Sequence, residues 1–99
     1  MEKENVKLAM ITAASSAMDY IKKNPNADSE SVMKHIIKSI KDTGEAKIAG
    51  IAAANHVIKF KEKNSKATQK QVMQELSNSM RSILKSIESQ NENEEMSYL

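Results

Sequence analysis

The sequence repeats itself after forty residues, and this repeat constrains the fold more than any other feature. Residues 5–44 align with residues 45–84 without a gap. The eleven identical pairs are Lys7/Lys47, Ala9/Ala49, Ile11/Ile51, Ala13/Ala53, Ala14/Ala54, Lys23/Lys63, Asn24/Asn64, Ala27/Ala67, Val32/Val72, Met33/Met73 and Ser39/Ser79. Because one copy alone would leave an apolar face uncovered, we expect the two copies to pack on each other and to bury both faces.

Each copy has the residue pattern of two helices joined by a short loop. Pro25 disfavours helical geometry at Asn24, so the first helix is expected to end there. Asp28 is a suitable helix N-cap, and Thr68 forms a capping box with Gln71 at the equivalent place in the second copy. The predicted helices span residues 3–23, 29–42, 44–63 and 69–88.

The fold predicted from this pattern is an all-α, four-helix bundle-like domain over residues 1–88. It consists of two tandem helical hairpins, residues 5–44 and 45–84, related by a pseudo-twofold axis. Gly44 is expected to cap the second helix at its C-terminus. The first and third helices are expected to cross at the centre, because small residues on one face of each allow their backbones to approach closely. These small residues are Ala9, Ala13, Ala17, Ala46, Ala49, Gly50 and Ala53.

Charge is distributed unevenly along the chain. Residues 1–88 hold 15 basic and 10 acidic side chains, a net charge of +5, whereas the three glutamates of residues 89–99 give −3. We predict that this acidic segment is a disordered tail. No segment has the roughly 20 consecutive apolar residues of a membrane helix, and the charged N-terminus MEKENVK lacks a secretory signal. We therefore expect no membrane partner and a cytoplasmic location.

The composition argues against enzymatic chemistry. There is no cysteine, and neither His35 nor His56 has a second histidine or a carboxylate four residues later, as a helical metal site would require. No serine lies in a glycine-framed turn, and two glycines are too few for a phosphate-binding loop. His35 is expected to be exposed. Four carboxylates are expected to be solvated on polar helix faces: Asp19, Glu30, Glu62 and Glu75. We therefore predict no catalytic residue, metal, cofactor or small-molecule substrate.

The segment IAAANHVIKF, residues 51–60, interrupts an apolar run with Asn55 and His56. These residues correspond to Ser15 and Ser16 in the first copy, so both copies become polar at the same point. At 100° per residue, Asn55 falls on the polar face of the helix and His56 at the boundary with the apolar face. His56 is therefore predicted to lie at the rim of the helix, where it is available to a partner.

Exposed apolar residues favour a protein partner. Leu8 and Ile48 are equivalent in the two copies and lean toward the polar sides of their helices, whereas Ile37 and Leu84 widen two apolar stripes. Equivalent exposed residues suit a symmetric dimer. We therefore expect a small non-enzymatic helical protein that acts through protein–protein contacts, as a regulator or adaptor, with a second copy among its possible partners. Leu8, Ile37, Ile48, Leu84 and His56 form the predicted partner surface.

The alternative is a nucleic-acid-binding protein that uses lysines of residues 59–70, which we call the lysine loop. Its lysines are Lys59, Lys61, Lys63, Lys66 and Lys70. Such a cluster can contact phosphates and give salt-dependent binding. Because lysine-rich surfaces also keep small helical proteins in solution, the cluster alone does not establish this function.

Residues 68–87 resemble a helix-turn-helix element, which would imply DNA recognition by its second helix. The residues that fit are Thr68, Val72, Leu76 and Ile83, and those that depart from the motif are Met73, Ser77 and Asn78. The apolar stripe runs from Val72 to Ile87 in unbroken helical phase, which predicts one continuous helix. Its polar face is rich in Ser, Gln and Asn, which favours core packing over attachment to a membrane surface.

Overall fold

The computed structural model describes the backbone of residues 2–97 and the side chains of residues 4–87. Within residues 2–97 the chain forms α-helices and no strand. The helices are α1 (Glu2–Lys23), α2 (Ser29–Ser39), α3 (Gly44–Lys63) and α4 (Gln69–Ser97). The prediction of an all-α, bundle-like fold is confirmed, and α4 is one continuous helix. None of these helices is both long enough and apolar enough to cross a membrane.

Helices α1 and α3 form the central pair, and they contact each other more extensively than any other two helices. A Cβ atom added to Gly50 would lie 3.4 Å from the backbone oxygen of Ala9 and 3.5 Å from the Cβ of Ala13. Glycine and alanine therefore allow the two backbones to approach closely. The central contact predicted from the small residues is confirmed.

The central helices run side by side in the same direction. Near one end Gly50 lies against Ala9 and Ala13, and near the other Ile21 lines one pocket together with Ile58 and Lys61. Both pairings join residues about forty positions apart. The loops after α1 and α3 therefore lie at the same end of the molecule. Helices α2 and α4 each pack on both central helices, and in the described part of the chain they do not contact each other.

The core consists of aliphatic, alanine and methionine side chains. Its largest fully buried members are Met10, Val32, Ile36, Val57, Val72 and Leu76. No polar or charged side chain among residues 4–87 is buried, so the core stabilises the fold through apolar burial and dispersion contacts.

The two copies of the repeat have the same local structure around their loops. Every residue from Ala13 to Lys34 has the same burial class as its counterpart forty positions later. In the first loop the backbone N–H of Asn24 donates to Tyr20 O at 2.9 Å, and that of Ala27 donates to Asn24 O at 3.0 Å. The equivalent bonds of the second loop are Asn64 to Phe60, at 2.9 Å, and Ala67 to Asn64, also at 2.9 Å.

The predicted caps form at both loops. The backbone N–H of Ser31 donates to Asp28 Oδ1 at 2.8 Å. In the second loop the N–H of Gln71 donates to Thr68 Oγ1 at 3.2 Å, and the N–H of Thr68 donates to Gln71 Oε1 at 2.8 Å. Both bonds of the predicted capping box are therefore present.

The connection between the hairpins differs from the prediction. Helix α2 ends at Ser39 and not at residue 42, because Ile40 adopts an extended conformation (φ −71°, ψ 120°). The side chain of Ile40 reaches α3, where its Cδ1 lies 3.5 Å from the Cβ position of Gly50. Gly44 does not cap α2. It begins α3 with φ +61°, a left-handed conformation that glycine adopts without strain.

The last helix also extends beyond its predicted end. Its backbone is helical to Ser97, whereas we predicted an end at residue 88; residues 98 and 99 of the predicted tail lie outside the described residues. The segment ESQNENEEMS contains helix-forming Glu, Gln and Met and no Gly or Pro, so no residue in it breaks the helix.

Candidate interaction sites

A hydrogen-bonded network joins α3 to α4. His56 Nε2 lies 2.7 Å from Glu75 Oε2, and Ser79 Oγ donates to the same oxygen at 2.8 Å. The side chains of His56 and Glu75 are 33% and 32% exposed, so the network lies at the edge of the helix interface and not in the core.

The two hydrogen bonds favour the ionised form of Glu75. The bond from His56, followed by the bond from Ser79, lowers the pKa of the Glu75 carboxyl below its ordinary value, while desolvation opposes them. An ionised carboxylate only accepts hydrogen bonds, so Nε2 of His56 carries the proton between them. Ser79 contacts the carboxylate and not the imidazole. The arrangement therefore links two helices and does not pair a serine nucleophile with a histidine base.

The sequence analysis missed this network. We predicted that Glu75 is solvated, but it is half-buried against His56. The repeat could not reveal the pair, because the corresponding residues of the first copy are Ser16 and His35. His35 is exposed as predicted, and its ring stacks on Tyr20 with centroids 4.3 Å apart. Each hairpin therefore uses its histidine in a different way.

The predicted partner surface is only partly exposed. Leu8 is 63% exposed, Ile48 53% and Ile37 43%. Leu84 is half-buried and packs against the core, while His56 is bonded to Glu75. A further exposed residue is Ile11, at 43%, which the predicted partner surface did not include.

Leu8 and Ile48 face opposite sides of the bundle. On α1, Leu8 lies opposite the face that contains Ala13 and contacts Gly50. On α3, Ile48 likewise lies opposite the face that packs in the core. Since these core faces meet, the two exposed side chains project away from each other. They therefore belong to two separate patches and not to one continuous surface.

The lysine loop contains two kinds of lysine. Lys61 is half-buried, and its Nζ donates to Ser65 O at 2.9 Å and to Ala67 O at 2.5 Å. It therefore holds the loop in shape. The other lysines, Lys59, Lys63, Lys66 and Lys70, are exposed. A shallow depression of about 560 Å³ is lined by Phe60, Lys63, Asn64, Ser65, Lys66, Ala67 and Gln71.

Among the residues that the structure describes, no group of three or more His, Asp or Glu side chains is arranged to hold a metal ion. No family model, curated protein or solved structure shows significant similarity to this chain. The two exposed apolar patches, the network at His56 and the lysine loop are therefore the candidate sites, and their own chemistry is the basis for any assignment.

Proposed function

We propose that this chain is a small non-enzymatic helical protein of the cytoplasm that acts through protein–protein contacts, as a regulator or adaptor that also associates with itself. The observation that carries this proposal is the exposure of Leu8 and Ile48, at 63% and 53%, on the outer faces of the two central helices. Two large aliphatic side chains in water contribute nothing to the core, and their burial against a partner would be favourable.

The equivalence of the two patches supports an adaptor with two docking faces. We propose that the tandem hairpins are related by a pseudo-twofold axis that runs between α1 and α3. Gly50 packs against Ala9 and Ala13, whose counterparts Ala49 and Ala53 lie on either side of Gly50 in sequence. Equivalent segments of the two helices therefore contact each other, as a twofold relation requires. The same relation places one apolar patch on each side of the bundle.

Sedimentation equilibrium of the full chain over a concentration series tests self-association. We expect the average mass to rise above the 11.0 kDa of the monomer. Leu8→Gln and Ile48→Gln should each lower that mass, and the double variant should return it to the monomer value. Ser29→Gln, at an exposed position of α2 near the loop end of the bundle, is the matched control and should leave the mass unchanged.

A mass of 11.0 kDa at every concentration would reject contact between copies. The proposal would then require a different protein as partner, one that the wild-type chain and Ser29→Gln retain and the double variant loses. Equal retention by all three chains would reject the two apolar patches as the docking sites.

A further inference from the structure

The loops of the two hairpins have the same backbone but opposite charge. Residues 19–30 of the first hairpin contain two lysines, two aspartates and one glutamate, a net charge of 2 − 3 = −1. Residues 59–70, the lysine loop, contain five lysines and one glutamate, a net charge of 5 − 1 = +4. The hydrogen bonds that close the two loops are equivalent. The fold therefore forms this loop at a net negative charge, so closing the loop does not require the net positive charge of the second loop.

Only one of these lysines has a structural role in the loop. Lys61 donates hydrogen bonds to the carbonyl oxygens of Ser65 and Ala67. Its counterpart in the first hairpin is Ile21, so the first loop closes without such bonds. Lys63, Lys66 and Lys70 are exposed around the loop, and the first two line its shallow depression. Three exposed ammonium groups thus surround one hydrogen-bonded loop: Lys63 ends α3, Lys66 lies in the loop and Lys70 is at the start of α4.

We propose that the lysine loop binds the phosphate backbone of duplex nucleic acid, independently of sequence, through Lys63, Lys66 and Lys70. Lysine is depleted from protein–protein interfaces but binds phosphate well as a point charge, so phosphate is the better match than an acidic protein segment. Phe60, the aromatic residue of the loop, is half-buried and packs against the core. One half-buried ring does not form the platform of successive aromatic side chains on which single-stranded bases stack, so we assign the loop to the backbone of a duplex.

The structure narrows the set of lysines that we assign to this site. Lys61 is left out, because its ammonium group already donates to the carbonyl oxygens of Ser65 and Ala67. Lys22 and Lys23, although at the same end of the bundle, belong to a loop whose acidic residues offset them, and Lys23 lies 3.2 Å from Asp19. The first loop therefore serves as an internal control for the second.

The experiment is a salt titration of binding to a fluorescent mixed-sequence DNA duplex of about 20 base pairs, measured by anisotropy with the full chain. Each phosphate contact contributes about −0.9 to the slope of log affinity against log salt, so three contacts give a slope near −2.7. A rise from 50 to 200 mM salt should then weaken binding about 40-fold. The triple variant Lys63→Gln/Lys66→Gln/Lys70→Gln should lose that dependence and most of the binding.

The matched control removes three charges from the first hairpin, with Lys22→Gln and Lys23→Gln at the equivalent end and Lys34→Gln within α2. It should keep at least half of the wild-type salt slope, and circular dichroism should show the same helix content in all chains. Leu8→Gln/Ile48→Gln should bind the duplex as the wild type does, which separates this proposal from the apolar patches.

Three outcomes would overturn the proposal. The first is no binding at 50 mM salt. The second is an equal loss in the two triple variants, which would indicate general attraction by a basic protein. The third is displacement of the duplex by polyglutamate at equal charge concentration as effectively as by unlabelled duplex, which would assign the loop to acidic protein segments.

Discussion

The two hairpins share one backbone plan and carry different surfaces. Both bury an apolar residue pair at equivalent places in the core, and both close their loops with the same asparagine bonds. The first hairpin has a loop of charge −1 and a histidine stacked on Tyr20. The second has a loop of charge +4, a histidine bonded to Glu75 and a longer final helix.

This difference separates what the fold needs from what it tolerates. The shared features are the small residues between α1 and α3, the apolar stripes of α2 and α4, and the caps. Each of them removes a cost of folding, either exposed apolar surface or unpaired backbone groups. The features that differ are at or near the surface, where the fold imposes little constraint. Two kinds of residue are therefore candidates for function: shared residues that meet no need of folding, such as the exposed Leu8 and Ile48, and the residues that distinguish the second hairpin from the first.

The largest expected effect tests whether the two hairpins contribute equally to the core. Ile36 and Leu76 are equivalent and fully buried. Replacing either with Ala should leave a cavity and lower the free energy of unfolding by about 2–5 kcal/mol. Urea denaturation measures this, with the exposed Ile37→Ala as control. If only one of the two core variants is destabilised, the hairpins do not form one cooperative core.

A smaller effect, confined to acid pH, tests the ionised groups that differ between the hairpins. The pKa of Asp28 is lowered mainly by the backbone N–H of Ser31, and that of Glu75 mainly by His56. A carboxyl group with a lowered pKa in the folded state stabilises the fold at pH values above its ordinary pKa, which is 3.8 for Asp28 and 4.5 for Glu75. This stabilisation is lost as the pH falls through the pKa of the folded state. The cap of the second hairpin, Thr68, has no such dependence.

Asp28→Thr, which installs the cap of the second hairpin in the first, should therefore reduce the loss of stability below about pH 4. Glu75→Gln should lower the free energy of unfolding at neutral pH. It should also reduce the further loss of stability at acid pH. Urea midpoints near pH 7 and pH 3 measure both effects, and Glu62→Gln, an exposed carboxylate on α3, is the control. An acid limb that is unchanged in both variants would show that neither group titrates as its hydrogen bonds imply.

The smallest expected effect concerns the residue that most directly distinguishes the two loops. Lys61→Ile gives the second loop the residue of the first and removes the bonds to Ser65 and Ala67. Because the first loop forms with Ile21 at this position, the free energy of unfolding should fall by no more than about 1 kcal/mol. Hydrogen exchange of the loop amides should rise only slightly, and duplex affinity should fall less than in Lys66→Gln. A larger loss of affinity for Lys61→Ile would make Lys61 a phosphate ligand.

Much of the fold was predictable because it depends on local chemistry. The ends of α1 and α3, the Asp28 cap and the capping box of Thr68 with Gln71 all follow from backbone needs that nearby residues satisfy. One difference from the prediction has a cause beyond that range: Ile40 leaves the helical conformation where its side chain packs on α3. The other is local, because residues 89–97 contain helix formers and no Gly or Pro, so α4 continues past residue 88.

The candidate sites were less predictable from the sequence. Whether a side chain is exposed or hydrogen-bonded depends on which neighbouring helix or loop the fold places beside it. Leu8 and Ile48 were identified from helical phase, but only the packing of α1 on α3 shows that they face opposite ways. Nothing in the sequence indicated that His56 meets Glu75, nineteen residues away, or that Lys61 serves its own loop.

The amino-acid sequence by itself determined the repeat, the number and type of helices, the caps and the charge of each loop, since these depend on residue identity and short-range spacing. Only the tertiary structure decided the parallel contact of α1 with α3, the separation of the two apolar patches and the different roles of the lysines. The reason is that helical periodicity specifies which face of a helix is buried but not which helix covers it. A surface lysine becomes a structural residue only when the fold brings carbonyl oxygens within reach of its ammonium group.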